Sequence, residues 1–381
     1  MTSLLFSPVR VAGRDLPNRI VVSPMCQYSA VDGTAQAWHR LHLGSFAASG
    51  VGTLILEATA VERAGRITHG CLGLYSDANE AALAPILADL RAVAPAMRIG
   101  IQLAHAGRKA SSQRPWEGGE GLGPDQEPWP TEAPSAIAFG PGRPVPKEID
   151  ADGLVRIREA FVASARRADR LGFDLIELHA AHGYLLHAFL SPISNQRRDS
   201  YGGSPENRMR FPLEVARAVR AAWPRDKALG VRITGSDWIE GGLTLDDAVA
   251  LSRALEAAGL DFVTVSSGGV VPGVKIPVRP GYQVHFAAAV KRATKLAVMT
   301  VGMINDPHQA EAIVASGEAD LIAIGRAFLD DPHWPWRAAA ALGAKPPHPV
   351  QYERVRAELW PGAVAVAGHR PGDAKRPPSA A

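Results

Sequence analysis

The chain has 381 residues, of which 46% are apolar and 21% charged, and only two are cysteines, Cys26 and Cys71. A formal net charge of +3 gives no indication of binding to nucleic acid or to an anionic membrane, and no apolar run is long enough to span a bilayer. Two separated cysteines exclude a disulfide framework or a cysteine-held metal cluster, and without a secretion signal they favour a cytoplasmic protein.

Short apolar segments alternate along the chain with longer helical patterns. We predict strands, in chain order, at residues 20–25, 53–57, 99–103, 175–179, 229–233, 262–265, 297–301 and 321–324. A helix is predicted after each strand, at residues 38–49, 79–93, 154–171, 206–222, 245–258, 282–294, 307–316 and 333–342. Because the strands are apolar on both faces, as buried parallel strands are, the pattern predicts an α/β protein with a (β/α)8 TIM barrel.

Residues typical of helix ends support this assignment. Ser204, Thr244 and Asp306 stand where N-caps are expected, and proline follows the first and the last of them. Glycine follows three of the predicted helices, at Gly172, Gly259 and Gly317.

One connection is unusually long and rich in glycine, proline and tryptophan. It runs over residues 104–152, after the third strand, and we predict a lid or capping insertion, with a surface decoration as the alternative. Residues 1–361 are expected to form a single barrel domain. The remaining residues, 362–381, are rich in proline, alanine and glycine and are predicted to be disordered.

The fourth strand ends in two histidines and a tyrosine, His179, His182 and Tyr184. In a barrel, chemistry takes place where the strands end, so these side chains are candidates to bind one ligand oxygen and deliver one proton. The histidine pair also suggests a metal-dependent hydrolase, with a third ligand from His105, Asp237 or Glu177. No HExxH or paired-carboxylate pattern supports that metal site, so the hydrogen-bonding site is favoured.

Other strand ends carry polar residues with two interpretations each. Arg232 lies within the fifth strand, where it either forms a structural ion pair or neutralises an anionic ring system. Gln102 offers a donor and an acceptor that suit a pyrimidine-like edge. The loops after the last two strands contain Gly302, Gly325 and Arg326, which indicate a phosphate site, with simple tight turns as the alternative.

Several further residues stay open between a functional and a structural role. Cys26 is either a reactive thiol or a small buried hydrophobic residue. Tyr28 and Trp38 either have a functional role or are core aromatics. Arg108 and Lys109 either have a functional role or are charges on the lid surface.

Six separated motifs resemble one known family. They are SPMCQY at 23–28, EA at 57–58, QLAHAGRK at 102–109, ELHAAHGYL at 177–185, SNQRRDSYGG at 194–203 and IGR at 324–326. In this order they closely resemble the Old Yellow Enzyme family, and most of all its bacterial thermophilic-like or xenobiotic-reductase branch, which has cysteine on the first strand. The resemblance extends over roughly residues 4 to 356.

The resemblance implies FMN bound at the mouth of the barrel. The residues that would line the flavin are Ser23, Pro24, Met25, Cys26, Ala58 and Gln102. Arg232 would face the N1 and C2-carbonyl side of the ring, where negative charge collects on reduction. Gly302, Gly325 and Arg326 would bind the phosphate, with Ser266 nearby.

The resemblance also implies an NADPH dehydrogenase that reduces enones, enals, maleimides or nitro compounds. His179 and His182 would bind the carbonyl oxygen, the flavin N5 would deliver hydride to the β-carbon, and Tyr184 would protonate the α-carbon. Tyr28 would shape the substrate pocket, and Cys26 would tune the flavin. Because the chain lacks a Rossmann fingerprint, we expect NADPH and substrate to use one pocket in turn, with ping-pong kinetics.

The C-terminal motif HPVQYER at 348–354 resembles a segment that, in this branch, reaches the active site of a neighbouring subunit. Arg354 would be the inserted residue, and a homodimer or homotetramer is expected. The alternative is an ordinary surface arginine. The chain continues for 27 residues after Arg354, which is a departure from this branch.

Overall fold

The computed structural model describes residues 3–345, 347–356, 359, 360 and 362. Its strands are β1 (Val9–Val11), β2 (Arg14–Leu16), β3 (Ile20–Val22), β4 (Thr53–Ala60), β5 (Arg98–Ala104), β6 (Glu132–Ala133), β7 (Lys147–Glu148), β8 (Leu175–Ala180), β9 (Ala228–Thr234), β10 (Phe262–Ser266), β11 (Ala297–Thr300) and β12 (Leu321–Ile324). Its α-helices are α1 (Ala37–Ala47), α2 (Asp77–Val93), α3 (Ala151–Arg170), α4 (Leu185–Leu190), α5 (Pro205–Ala222), α6 (Leu245–Ala257), α7 (Val284–Ala293), α8 (Pro307–Ala315), α9 (Arg326–Asp330) and α10 (Trp334–Ala341).

Eight parallel strands close into a barrel in the order β3, β4, β5, β8, β9, β10, β11, β12 and back to β3. They correspond one to one to the predicted strands, which confirms the (β/α)8 fold. One apolar cluster lies between the strands and the surrounding helices. A second, smaller cluster fills the lower half of the barrel, where the N-terminal hairpin β1–β2 adds Val11 and Leu16.

The helix ends follow the predicted residues. Side-chain oxygens of Ser204, Thr244 and Asp306 accept hydrogen bonds from backbone amides of the first turns of α5, α6 and α8. The three predicted C-terminal glycines have φ angles of +75° to +80°, a region that glycine enters without steric cost. Local sequence therefore sets where the outer helices begin and end.

Several short elements were not predicted. They are the hairpin β1–β2, the pair β6–β7, and the helices α4 and α9, which directly follow barrel strands. Strand β4 also runs three residues further than predicted, because Ala58 to Ala60 continue to pair with β5 after a bulge at Glu57.

The segment 104–152 contains more structure than its composition suggested. It has short 3₁₀ turns at Gly107–Lys109, Pro115–Glu117 and Pro124–Gln126, and the parallel pair of β6 with β7. Arg197 fastens it to the barrel by donating to the carbonyl oxygens of Pro134 and Ile149, at 3.1 and 2.7 Å. Its role as a lid, like the single-domain assignment for residues 1–361, stays a prediction.

The predicted disordered tail, residues 362–381, lies outside the described residues except for Gly362. Among the helices of the described part of the chain, none is both long and apolar enough to cross a membrane.

Candidate active site

A polar layer lies inside the barrel above the apolar cluster. The Gln102 side-chain nitrogen donates to Glu177 Oε1 at 2.7 Å, and the Thr264 hydroxyl donates to Glu177 Oε2. Arg232 Nη1 donates to Ser23 Oγ at 3.0 Å, which joins β9 to the end of β3 across the barrel. All five side chains are buried, so strand ends far apart in sequence form one connected layer.

Glu177 and Arg232 carry the charge of this layer. Burial raises the pKa of Glu177, although the positive charge of Arg232 acts in the opposite direction. Burial also lowers the pKa of Arg232, although the negative charge of Glu177 opposes this shift. Arg232 Nε is buried and, among the described residues, has no hydrogen-bond partner. A buried guanidinium with an unused donor is costly, so the geometry favours a ligand-binding role for Arg232 beside its electrostatic pairing with Glu177.

His179, His182 and Tyr184 form an aromatic cluster directly above this layer. The ring centroid of His179 lies 5.1 Å from that of His182 and 4.9 Å from that of Tyr184, both in edge-to-face geometry. His179 Nδ1 accepts from the Ala181 amide at 3.3 Å, so its proton sits on Nε2. His182 Nε2 lies 2.8 Å from Ser266 Oγ, which places Ser266 beside the histidine pair. The structure thus brings His179, His182 and Tyr184 together.

The protonation states of this cluster suit donation of hydrogen bonds rather than charge. Burial, reinforced by the nearby Arg232, lowers the pKa of both His179 and His182 well below the usual value. Burial also raises the pKa of Tyr184 well above the usual value. At neutral pH the site therefore presents two neutral imidazoles and one protonated phenol.

Lys109 belongs to this site and is not a charge on the lid surface. Its Nζ donates to the carbonyl oxygen of His182 at 2.8 Å and lies 4.9 Å from the centroid of the Tyr184 ring. Burial, with Arg143 and Arg108 nearby, lowers the pKa of Lys109 to about 8. Arg108 is also buried, and it donates to the carbonyl oxygen of Val270. The surface interpretation of both residues was wrong.

The turn after β3 forms a second wall. Tyr28 has a left-handed backbone with φ of +51°, and Arg114 Nε donates to its carbonyl oxygen at 3.0 Å. The Tyr28 ring meets Trp116 edge-to-face, with centroids 5.9 Å apart. Burial raises the pKa of Cys26 well above its usual value, so the residue is a protonated thiol and not a thiolate nucleophile.

The remaining predicted flavin contacts line two recesses near this turn. One recess is lined by Ser23 and Met25 together with Glu57, and the other by Ala58 together with Tyr184. Pro24, half-buried, lies between Ser23 and Met25. Trp38 is half exposed and donates to the Gln27 side chain, so it is not the core aromatic considered from the sequence.

The predicted phosphate residues lie at the ends of β11 and β12. Gly302 has a φ of +118°, and a Cβ there would lie 2.8 Å from the Gln283 side-chain nitrogen. Gly325 precedes α9, and the exposed Arg326 begins that helix. Arg354 is exposed in the 3₁₀ segment Val350–Val355.

The metal interpretation of the histidine pair finds no geometric basis. Each candidate third ligand already has a different partner. His105 Nε2 lies 2.9 Å from Glu62, Asp237 faces His187, and Glu177 binds Gln102. Within the described part of the chain, one group of possible ligands lies close together, Glu62, His105 and Glu132, and Arg156 already bridges its two carboxylates.

Sequence reasoning missed Thr264 and His187 as site residues and left the role of Lys109 open. His187 Nδ1 accepts from the Gly183 amide at 2.6 Å, directly below the histidine pair. A signal for Lys109 was present, since it ends the QLAHAGRK motif, but its partners come from distant parts of the chain.

Comparisons with known proteins show the family of this chain. Residues 4–344 match the model of the NADH:flavin oxidoreductase / NADH oxidase family. The chain is 45% identical over 356 residues to an NADPH dehydrogenase of Geobacillus thermodenitrificans, covering 93% of this chain and 99% of that one. Morphinone reductase, a solved structure, is 28% identical with a TM-score of 0.76 and 91% of each chain covered. A 2-naphthoyl-CoA reductase structure gives a TM-score of 0.80 at 25% identity over 90% of this chain, which spans only 52% of that longer chain.

Proposed function

The chain belongs to the NADH:flavin oxidoreductase / NADH oxidase family, and from that premise we propose an NADPH dehydrogenase that reduces activated carbon–carbon double bonds. Membership confirms the resemblance to Old Yellow Enzyme and FMN as the cofactor. The observation that carries the proposed substrate class is the cluster of two neutral imidazoles and one phenol above a buried arginine.

The residues at the barrel mouth fit an anionic flavin nucleotide. The unused Nε of Arg232 is a donor that still needs a partner, and its charge suits a ring that becomes negative on reduction. Gln102 and Ser23 supply further polar groups in the same layer. Gly302, Gly325 and Arg326 lie together at the ends of the last two strands, where barrels of this fold commonly bind phosphate.

When bound, FMN supplies the hydride carrier between NADPH and the acceptor. His179 and His182 bind the acceptor's carbonyl oxygen and stabilise the negative charge that grows there, more strongly in the transition state than in the ground state. Tyr184 stays protonated at Oη and donates this proton to the α-carbon. General acid catalysis of this kind typically contributes about 10² to 10⁴ in rate. Enones, enals and maleimides fit this arrangement, and nitro compounds offer a comparable oxygen.

NADPH is proposed to occupy the same pocket before the acceptor, which predicts ping-pong kinetics. Support comes from the fold, because the part of the chain that the structure describes is one barrel whose polar strand ends converge on a single mouth. We also propose that Arg354 reaches a neighbouring subunit in a homodimer or homotetramer. Its exposure, next to the exposed apolar residues Val350 and Tyr352, supports this.

A ligand titration of the flavin-loaded protein tests this function. The wild type should take up FMN and change its visible spectrum when a phenol is added, since a phenolate oxygen imitates the charged acceptor oxygen. The double variant His179→Ala with His182→Ala should retain FMN and lose phenol binding by about 100-fold or more, because two hydrogen bonds to a charged group are removed. The exposed pair His285→Ala with His308→Ala serves as the matched control. Wild-type protein that takes up no flavin, or unchanged phenol affinity in the double variant, would contradict the proposal.

A further inference from the structure

The backbone that carries His182 and Tyr184 is held from below by one buried histidine. The Gly183 amide donates to His187 Nδ1 at 2.6 Å, and the His187 side chain is fully buried on α4, one turn further along the chain. This loop adopts an unusual conformation, with φ of +59° at His182 and +77° at Gly183. A left-handed non-glycine residue costs free energy, so the loop needs outside contacts to persist.

Neighbouring groups determine which nitrogen of His187 carries the proton. Because Nδ1 accepts from an amide, the proton must sit on Nε2. Nε2 lies 3.0 Å from Asp237 Oδ1, in close electrostatic contact although its N–H is not well aligned with that oxygen. Asp237 Oδ2 in turn accepts from Ser191 Oγ and the Leu243 amide, both at 2.8 Å. The carboxylate is thereby fixed and favours the tautomer that leaves Nδ1 free to accept.

Other contacts restrain the same loop from above. Lys109 Nζ donates to the His182 carbonyl oxygen at 2.8 Å. A Cβ on Gly183 would lie 2.1 Å from the Gly269 carbonyl oxygen, so the two loops are in direct contact. The Gly183 N–H belongs to the peptide between His182 and Gly183, so its bond to His187 restrains ψ of His182 and φ of Gly183.

We infer that His187 is a positioning residue, which sets the relative orientation of His182 and Tyr184 through the Gly183 amide, with Asp237 fixing its tautomer. This rests on the proposed function, because the orientation matters only if both side chains act on one acceptor. Misplacement by about 1 Å can cost about 100-fold in rate, so a contact outside the pocket can influence the chemistry.

Two substitutions at His187 separate this role from simple packing. His187→Leu fills most of the volume but removes the acceptor. His187→Asn leaves a larger void but places Oδ1 near the former Nδ1 position, where it can still accept from Gly183. If His187 only fills space, Leu should preserve function better than Asn; if it positions the loop, Asn should preserve function better.

The expected result is a phenol affinity about tenfold weaker in His187→Leu than in His187→Asn, with the FMN content little changed in both. Hydrogen exchange of residues 181–186 in flavin-free protein should be faster in the Leu variant, which is a readout independent of activity. Leu255→Ala, in the outer core on α6, controls for lost stability alone.

Equal affinities in the two variants, or the reverse order, would overturn the inference while leaving the proposed function intact. Failure of the proposed function would show differently, because the wild type itself would then bind no phenol. Unchanged exchange at residues 181–186 in His187→Leu would also overturn the inference.

Discussion

The lower and upper halves of the barrel interior are equally buried, yet they differ in chemistry. The lower half is lined by apolar side chains, Val21, Ile55, Leu175, Phe262, Met299 and Leu321. The upper half contains Gln102, Glu177, Arg232 and Thr264, linked by hydrogen bonds and charge. The same strands build both halves, since β8 places Leu175 below Glu177 and His179, and β10 places Phe262 below Thr264.

This contrast shows that the two ends of the barrel interior have different roles, since the lower end stabilises the fold and the upper end forms the candidate site. Burying apolar side chains contributes to folding in proportion to the area removed from water. Burying charge opposes folding unless partners compensate for the lost hydration. The buried charges of the upper half therefore lower the stability of the folded protein, but they form a site that a charged ligand can complete. The apolar lower half must offset this loss of stability.

The largest expected effect comes from opening the lower half. Phe262→Ala should lower the free energy of unfolding by about 3–5 kcal/mol, because the ring is buried in the apolar cluster of the lower half. A Cβ on Gly230 would lie 2.4 Å from this ring, which shows how closely β9 and β10 pack there. Urea unfolding measures the loss, and the flavin spectrum of the folded variant should stay that of the wild type. A loss below about 1 kcal/mol would contradict the stabilising role of the lower half.

Substitutions in the upper half should change the reduction potential of the flavin as well as the stability of the protein. Arg232→Gln removes a positive charge beside the proposed ring and should lower the potential, whereas Glu177→Gln removes a negative charge and should raise it. Each change is expected to be about 1–2 kcal/mol, roughly 20–45 mV for a two-electron couple. Equilibration with redox dyes measures both variants against the wild type.

Opposite signs are the informative part of this comparison. A shift in the same direction for both variants would mean that disturbed packing, and not charge, sets the potential. Thr264→Val is a suitable control, since it removes a hydrogen bond to Glu177 while the formal charges stay the same.

The sequence predicted the barrel well because most residues of each strand are apolar, and the segment 321–324 matches β12 residue for residue. Local residue patterns also located the helix caps and the cluster at the end of β8. The hairpin β1–β2 was not predicted, because its strands have three residues each and pack only against the completed barrel. Lys109 was misjudged for a related reason, since its Phe139 and Gly269 contacts depend on the fold.

A charge at the rim of the site should matter less than the charges inside it, and Lys109 allows this to be measured. Folding favours its neutral amine, as the lowered pKa of about 8 shows. Within the folded protein the charge is therefore present below pH 8 and lost as the pH rises through 8, well before an exposed lysine with a pKa of about 10.4 would lose it. The charge lies beside Tyr184 and the backbone of His182, the two residues proposed to act on the acceptor, so its loss should slow the reduction of a neutral enone.

We expect the rate of enone reduction by pre-reduced enzyme to fall by about two- to fivefold between pH 7 and 9.5, equivalent to less than about 1 kcal/mol. Lys109→Met should give the lower rate at every pH and show no step near pH 8. Rapid mixing with 2-cyclohexenone isolates this half-reaction from NADPH binding. A step near pH 8 that persists in Lys109→Met would assign the titration to another group.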